Sequence, residues 1–300
     1  MSVSVEVPEL THARMEPAIV GCPGLFTARD RRGRGLRIDQ QIGDVELMWR
    51  SVDRLTPGDL MTLAALVAIA GPGGRAAEPA HDHGLISALD MRANDEPASL
   101  SGTLVVETVM ARVLRECGRE DAGRNRVALC DSLRRLASLT VIVRSGKREV
   151  GMHLLSYAVD EDSRALRVAL SPRLTAALLG GRYTRIDLRE MRALGEHARL
   201  LYVRLCVWID PGVIRRIGLE VLMGYLWPEP PAGAVMVRDR RRLTQRAMRQ
   251  LSELPGWRSW IDERGVQYTI GRPPVKTPTP PVKTPTPPVK TPTPPGVFSE

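Results

Sequence analysis

The stretch VRDRRRLTQRAMRQLSEL runs from Val237 to Leu254, and WRSWIDERGVQYTIGRP follows it from Trp257 to Pro273. At about 100° per residue the first segment divides cleanly as a helix. With Leu243 at zero, Leu254, Ala247 and Leu251 gather within about 80° of it. Gln245, Arg238, Arg249 and Arg242 fall on the far side, with Arg241 and Ser252 flanking them. Only Arg240 projects to the apolar side, and it is expected to precede the first turn. Between Arg238 and Arg249 six arginines face one aspartate, a net of +5 in a chain whose total is +9. Like charges one turn apart repel, so solvated faces usually mix signs. The face reads either as a basic coat on a core helix or as a nucleic-acid contact, and the concentration of charge favours the contact. Arg238, Arg241, Arg242, Gln245, Arg246 and Arg249 are the candidate DNA-binding residues. Of these, one or two of Arg242, Gln245, Arg246 and Arg249 are expected to face base edges, where Arg suits guanine and Gln suits adenine.

Trp257–Pro273 reads as two strands around the turn Asp262–Gly265. Upstream, HARLLYVRLCVWIDPG predicts a helix stopped by Pro211-Gly212, and IGLEVLMGYLWP a second one ended by Pro228. Three helices and a hairpin are the order of a winged helix unit, although other small α+β folds share that periodicity.

An earlier block follows the same plan. TPGDLMTLAALVAIAG predicts a helix with Thr56 as N-cap and Pro57 in the first turn, stopping at Gly71. A Gly/Pro/His loop follows. VETVMARVLRECG and RNRVALCDSLRRLASL then predict two helices, from Val106 and Arg124. TVIVRSGKREVGMHLLSYAV predicts two strands around the basic turn Arg144–Arg148, and ALRVALSP a third strand. Here the outer helix face holds Arg124, Arg134 and Arg135, but also Asp131. These arginines, with Arg144, Lys147 and Arg148 of the turn, are the weaker DNA-binding candidates.

The expected fold class is therefore α+β, mainly helical, with two tandem winged helix domains over 46–170 and 171–272. An irregular N-terminal arm, 1–45, carries the basic run Arg29–Arg37. That run is a surface loop or an arm lying on phosphates or in a minor groove. The C-terminal segment 273–300 repeats PVKTPTP three times. Proline fixes φ and removes a donor, which predicts an extended, disordered tail. The tail is a spacer or a partner-binding segment.

The 300 residues and a pI near 9.9 point to an anionic partner, nucleic acid before membrane. No apolar run is long enough to span a bilayer, and no signal-peptide pattern opens the chain. Cys22, Cys117, Cys130 and Cys206 lack metal-ligand spacing and read as reduced thiols of a cytoplasmic protein. Ser145-Gly146-Lys147 lacks the glycine spacing of a P-loop. His81-Asp82-His83 has Asp where a nickase metal pair needs an apolar residue. No catalytic residue, metal, cofactor or small-molecule substrate is expected, so the chain reads as a binder and not an enzyme.

The segments THARMEPAIVGCPGLF, LVAIAGP, HLLSYAVDED, ARLLYVRLCVWIDPG and LMGYLWP precede the arginine-rich helix in this order. In that order, from about Thr11 to Pro273, the chain resembles the RepC replication initiators of IncQ-type plasmids. RLCVWIDPG followed by GYLWP is the most specific part. The loop Gly71–Pro97 departs from the family pattern, and the PVKTPTP tail is outside it. The resemblance implies a bacterial initiator that binds directly repeated iterons in double-stranded origin DNA. It further implies opening of an adjacent A+T-rich region and recruitment of a plasmid-encoded helicase and primase. Two other readings suit the same domains: a winged helix transcriptional repressor, and a helicase-loading adaptor.

Overall fold

The computed structural model describes residues 10–28, 35–89, 102–160 and 162–274. The PVKTPTP repeats and Arg29 to Arg34 of the basic run lie outside the described residues.

Residues 1–9 of the expected arm also lie outside the described residues; its described part is not irregular. It contains β1 (His12–Met15), α1 (Pro17–Val20), β2 (Leu36–Ile42) and the start of the hairpin to β3 (Val45–Ser51). Met15, Ile19, Val20, Cys22 and Leu25 are buried. The expectation weighed the glycines and arginines of this segment and overlooked its apolar residues. Burying those residues drives the segment onto the core.

Next comes α2 (Pro57–Gly73), buried on every side from Leu60 to Ala70. A helix apolar all round belongs in the centre of a fold, and α2 packs on β1, on the helices that follow and on the second block. Thr56 caps it: its side chain accepts from the Asp59 N–H, and the Asp59 carboxylate accepts from the Thr56 N–H at 2.7 Å. The helix passes Gly71 and Pro72, and the loop expected there contains β4 (Gly74–Ala76) and α3 (Pro79–Ser87).

The helix predicted from Val106 is half strand. β5 (Leu104–Val109) precedes α4 (Met110–Glu116), because Val105, Val106 and Val109 pair with β9 (Ala165–Leu170). α5 (Gly123–Ala137), β6 (Thr140–Ser145) and β7 (Arg148–His153) follow the expected order. The strand beyond the turn then breaks at Leu154, so that β8 (Leu155–Val159) joins a different sheet. One four-stranded sheet runs β2-β3-β6-β7 and the other β4-β5-β9-β8, all antiparallel.

α6 (Pro172–Leu178), β10 (Thr184–Asp187) and α7 (Leu188–Ala193) lead into the second block. β10 pairs with β1, so the start of the described chain is tied to the entry of the second block. α8 (Glu196–Trp208), β11 (Ile214–Gly218), α9 (Leu219–Leu226), α10 (Ala234–Ser252), β12 (Arg258–Ile261) and β13 (Gln267–Gly271) complete it. The stretch predicted as one helix from Ile217 starts as strand, since Ile217 and Gly218 pair with Tyr268 and Gln267. The last sheet runs β11-β13-β12. One buried cluster extends from Ala13 to Ile270 through both blocks. Among the described residues no helix is long and apolar enough to cross a membrane.

Candidate nucleic-acid interface

Helix α10 buries Thr244, Ala247, Met248 and Leu251, which pack toward α8 and α9. Arg240 shares that stripe. It lies in the second turn of the helix, not ahead of the first, because α10 begins at Ala234. It is 5% exposed; its Nη1 donates to the Glu229 carbonyl at 2.6 Å and its guanidinium lies 5.5 Å from the Trp227 ring. A backbone oxygen and a π face thus accommodate the charge that the helical projection placed inward.

The opposite face of α10 is a row of exposed arginines: Arg238, Arg241, Arg242, Arg246 and Arg249, with Gln245 half-buried. Their neutralisation is slight. Arg241 lies 3.8 Å from Glu220 and Arg242 3.7 Å from Asp239, between exposed groups, and such pairs contribute little. Arg238, Arg246 and Arg249 have no carboxylate partner among the described residues. The adjoining hairpin is held by Asp262, whose carboxylate accepts from the Val266 and Gln267 N–H groups at 2.8 and 3.1 Å. These bonds hold its pKa below the ordinary carboxylate value. Gly265 takes φ 66° at the turn, beside exposed Arg264.

The first-block candidates are arranged differently. Arg124, Lys147 and Arg148 are exposed. Arg134 donates to Asp131 at 2.7 Å. Arg144 is shared between Glu149 at 2.6 Å and Glu46 at 3.0 Å. Arg135 departs from its expected role. Its guanidinium makes a two-pronged contact with fully buried Asp59, at 2.8 and 3.0 Å, and Ser132 donates to the same carboxylate at 2.6 Å. The partner is 76 residues away in sequence, so a helical projection could not reveal it. Arg135 is therefore committed to the core and is withdrawn from the candidate surface.

Two features were not foreseen. His81-Asp82-His83 lies on α3, and its buried Asp82 accepts from Arg75 at 2.7 and 3.1 Å, from the Glu78 N–H at 2.9 Å, and from Arg167. Arg75 above all brings the Asp82 pKa down to about 2. Arg216 and Arg258 are exposed on β11 and β12. IRRIG is expected to open a helix at Ile217, and it forms the edge strand β11 instead.

A helix with a row of exposed, largely unpaired arginines has the charge distribution that suits a polyanionic partner. Comparison with known proteins agrees. The profile of the family described as Replication protein C (RepC) matches residues 7–274. The chain belongs to that family and is a RepC-type replication initiator. No curated protein matches it. Two crystal structures of domains 2 and 3 of RctB share its fold at 16% identity. One, of selenomethionine derivatives, has a TM-score of 0.55, covering 86% of this chain and 99% of that one. The other has a TM-score of 0.54 and covers 86% and 97%.

Proposed function

We propose that this initiator reads duplex origin DNA through α10, as the recognition helix of a winged helix unit formed by α8-β11-α9-α10-β12-β13. The observation that carries the reading is the exposed, largely unneutralised arginine face of α10. Arg242, Gln245, Arg246 and Arg249 meet base edges, and the arginines nearer the start and in the hairpin hold phosphates. The first block is a second, weaker winged unit. It sets its turn residues Lys147 and Arg148 on the backbone. Two units in series would cover a direct repeat of about 20 bp, since major grooves recur every 10–10.5 bp.

On this reading the chain binds iterons and opens the neighbouring A+T-rich duplex by bending, without an active site of its own. It then delivers the plasmid helicase and primase in the bacterial cytoplasm. Footprinting on the parent plasmid's origin tests it. Protected direct repeats support the initiator; an inverted repeat supports a repressor; no footprint leaves a helicase-loading adaptor. Arg242→Ala and Arg249→Ala should each cost about 1–3 kcal/mol of specific binding, while Lys283→Ala should cost almost none. Equal, purely salt-dependent losses from all three would overturn the assignment.

A further inference from the structure

The outer face of the β11-β13-β12 sheet carries a surface that α10 does not use. Cross-strand register places Arg216, Thr269 and Trp260 in one row, and Ile214, Gly271 and Arg258 in the next. Residues opposite each other in antiparallel strands share a face, and the buried Tyr268 and Ile270 alternate to the other side. A Cβ added at Gly271 would meet Ile214 Cγ1 at 3.4 Å and Arg258 Cβ at 3.8 Å, so both side chains flank that glycine. Trp260 is 51% exposed and Ile214 58% exposed, whereas Trp49, Trp227 and Trp257 are buried. Neither Arg216 nor Arg258 has a carboxylate partner among the described residues, and neither row contains an acid.

We propose that this face is a stacking platform for single-stranded DNA, with Trp260 holding a base and Arg216 and Arg258 holding the backbone. A projecting indole on a flat sheet finds no free π face on a duplex, where bases already stack on each other. An unpaired strand offers one at every nucleotide, and arginines beside it supply the counter-charge. Arg216 lies two strand spacings from Trp260, about 10 Å, which lets one side chain take the backbone while the other takes a base. The proposal rests on the initiator reading only in naming the source of the strand: the opened origin leaves one unpaired beside the bound duplex.

The test uses the full chain, a dye-labelled oligo(dT) of about 20 nucleotides, and a duplex of the parent origin's repeats. Trp260→Ala should weaken oligo(dT) binding roughly tenfold and leave duplex affinity unchanged. Trp260→Phe should keep most of the single-strand affinity but lose the tryptophan quenching that oligo(dT) produces. Arg216→Ala should lower the salt slope of oligo(dT) binding by about 0.7. The proposal is overturned if Trp260→Ala leaves oligo(dT) binding intact. It is equally overturned if that variant only turns a dimer into a monomer, which would make the face a self-association surface. Should Arg249→Ala spare duplex binding while Trp260→Ala still removes single-strand binding, the recognition-helix reading fails and the platform stands.

Discussion

Helices α5 and α10 look alike as sequences and differ in what their arginines do. Both follow a shorter helix, precede a hairpin, and set arginines opposite a leucine stripe. In α5 three of the four arginines are already used, Arg135 on Asp59, Arg134 on Asp131 and Arg126 on Asp121, which leaves Arg124 exposed. The adjoining turn repeats this, with Arg144 between Glu46 and Glu149. In α10 the one buried arginine, Arg240, is held by a carbonyl and an indole, and the exposed ones meet at most a loose surface carboxylate. A polyanion gains most from cations that have no partner to lose. The number of arginines on a face is thus a poor guide to binding until the acids facing them from other elements are placed.

The largest expected effect comes from removing the acid that claims Arg135. Asp59 caps α2, accepts from Ser132 and holds Arg135. Asp59→Ala strips a cap and leaves a half-buried guanidinium unpaired, so it should cost about 3–5 kcal/mol in urea unfolding. The double variant with Arg135→Ala should recover part of that loss. A cost under about 1 kcal/mol would return Arg135 to the surface candidates and break the contrast between the helices.

A smaller effect, again confined to the first block, belongs to Asp82. Its folded pKa of about 2 lies below its ordinary 3.8. A depressed carboxylate adds stability above the unfolded value and loses it as pH falls through the folded one. Wild type should therefore exceed Asp82→Asn in stability at neutral pH. The gap should close between pH 3.8 and about 2 in acid titrations followed by circular dichroism. A gap independent of pH would show that Arg75 and Arg167 do not act on this charge.

Legibility followed locality. The start of α2 is readable because Thr56 and Pro57 are adjacent cap and first-turn signals, and the α10 faces because helical period is a local property. The hairpin turn at Asp262–Gly265 announced itself through residues that bond to each other. The failures all involve distant partners. β1 exists because β10 receives it, and β5 because β9 pairs with it. At β5 the run Val105, Val106, Thr108 and Val109 was a β-branched signal, outweighed by a helical spacing that only begins in earnest at Met110. For the site, exposure of the α10 arginines and the inward projection of Arg240 were legible, while the capture of Arg135 and the indole that receives Arg240 were not, because Asp59 and Trp227 lie outside the helices that carry those arginines.

The smallest effect sharpens the comparison most. Arg134 is exposed, as Arg246 is, but is bound to Asp131 at 2.7 Å. Arg134→Ala should therefore change origin affinity by less than about 0.5 kcal/mol, against about 1–3 kcal/mol for Arg246→Ala. Asp131→Ala leaves Arg134 in place and removes its partner. If pairing is what silences α5, that variant should bind DNA of any sequence slightly more tightly, with a salt slope steeper by up to about 0.9. Unchanged binding would mean that α5 does not approach DNA at all. In that case its silence comes from geometry and not from charge, and the carboxylates of the first block serve the fold alone.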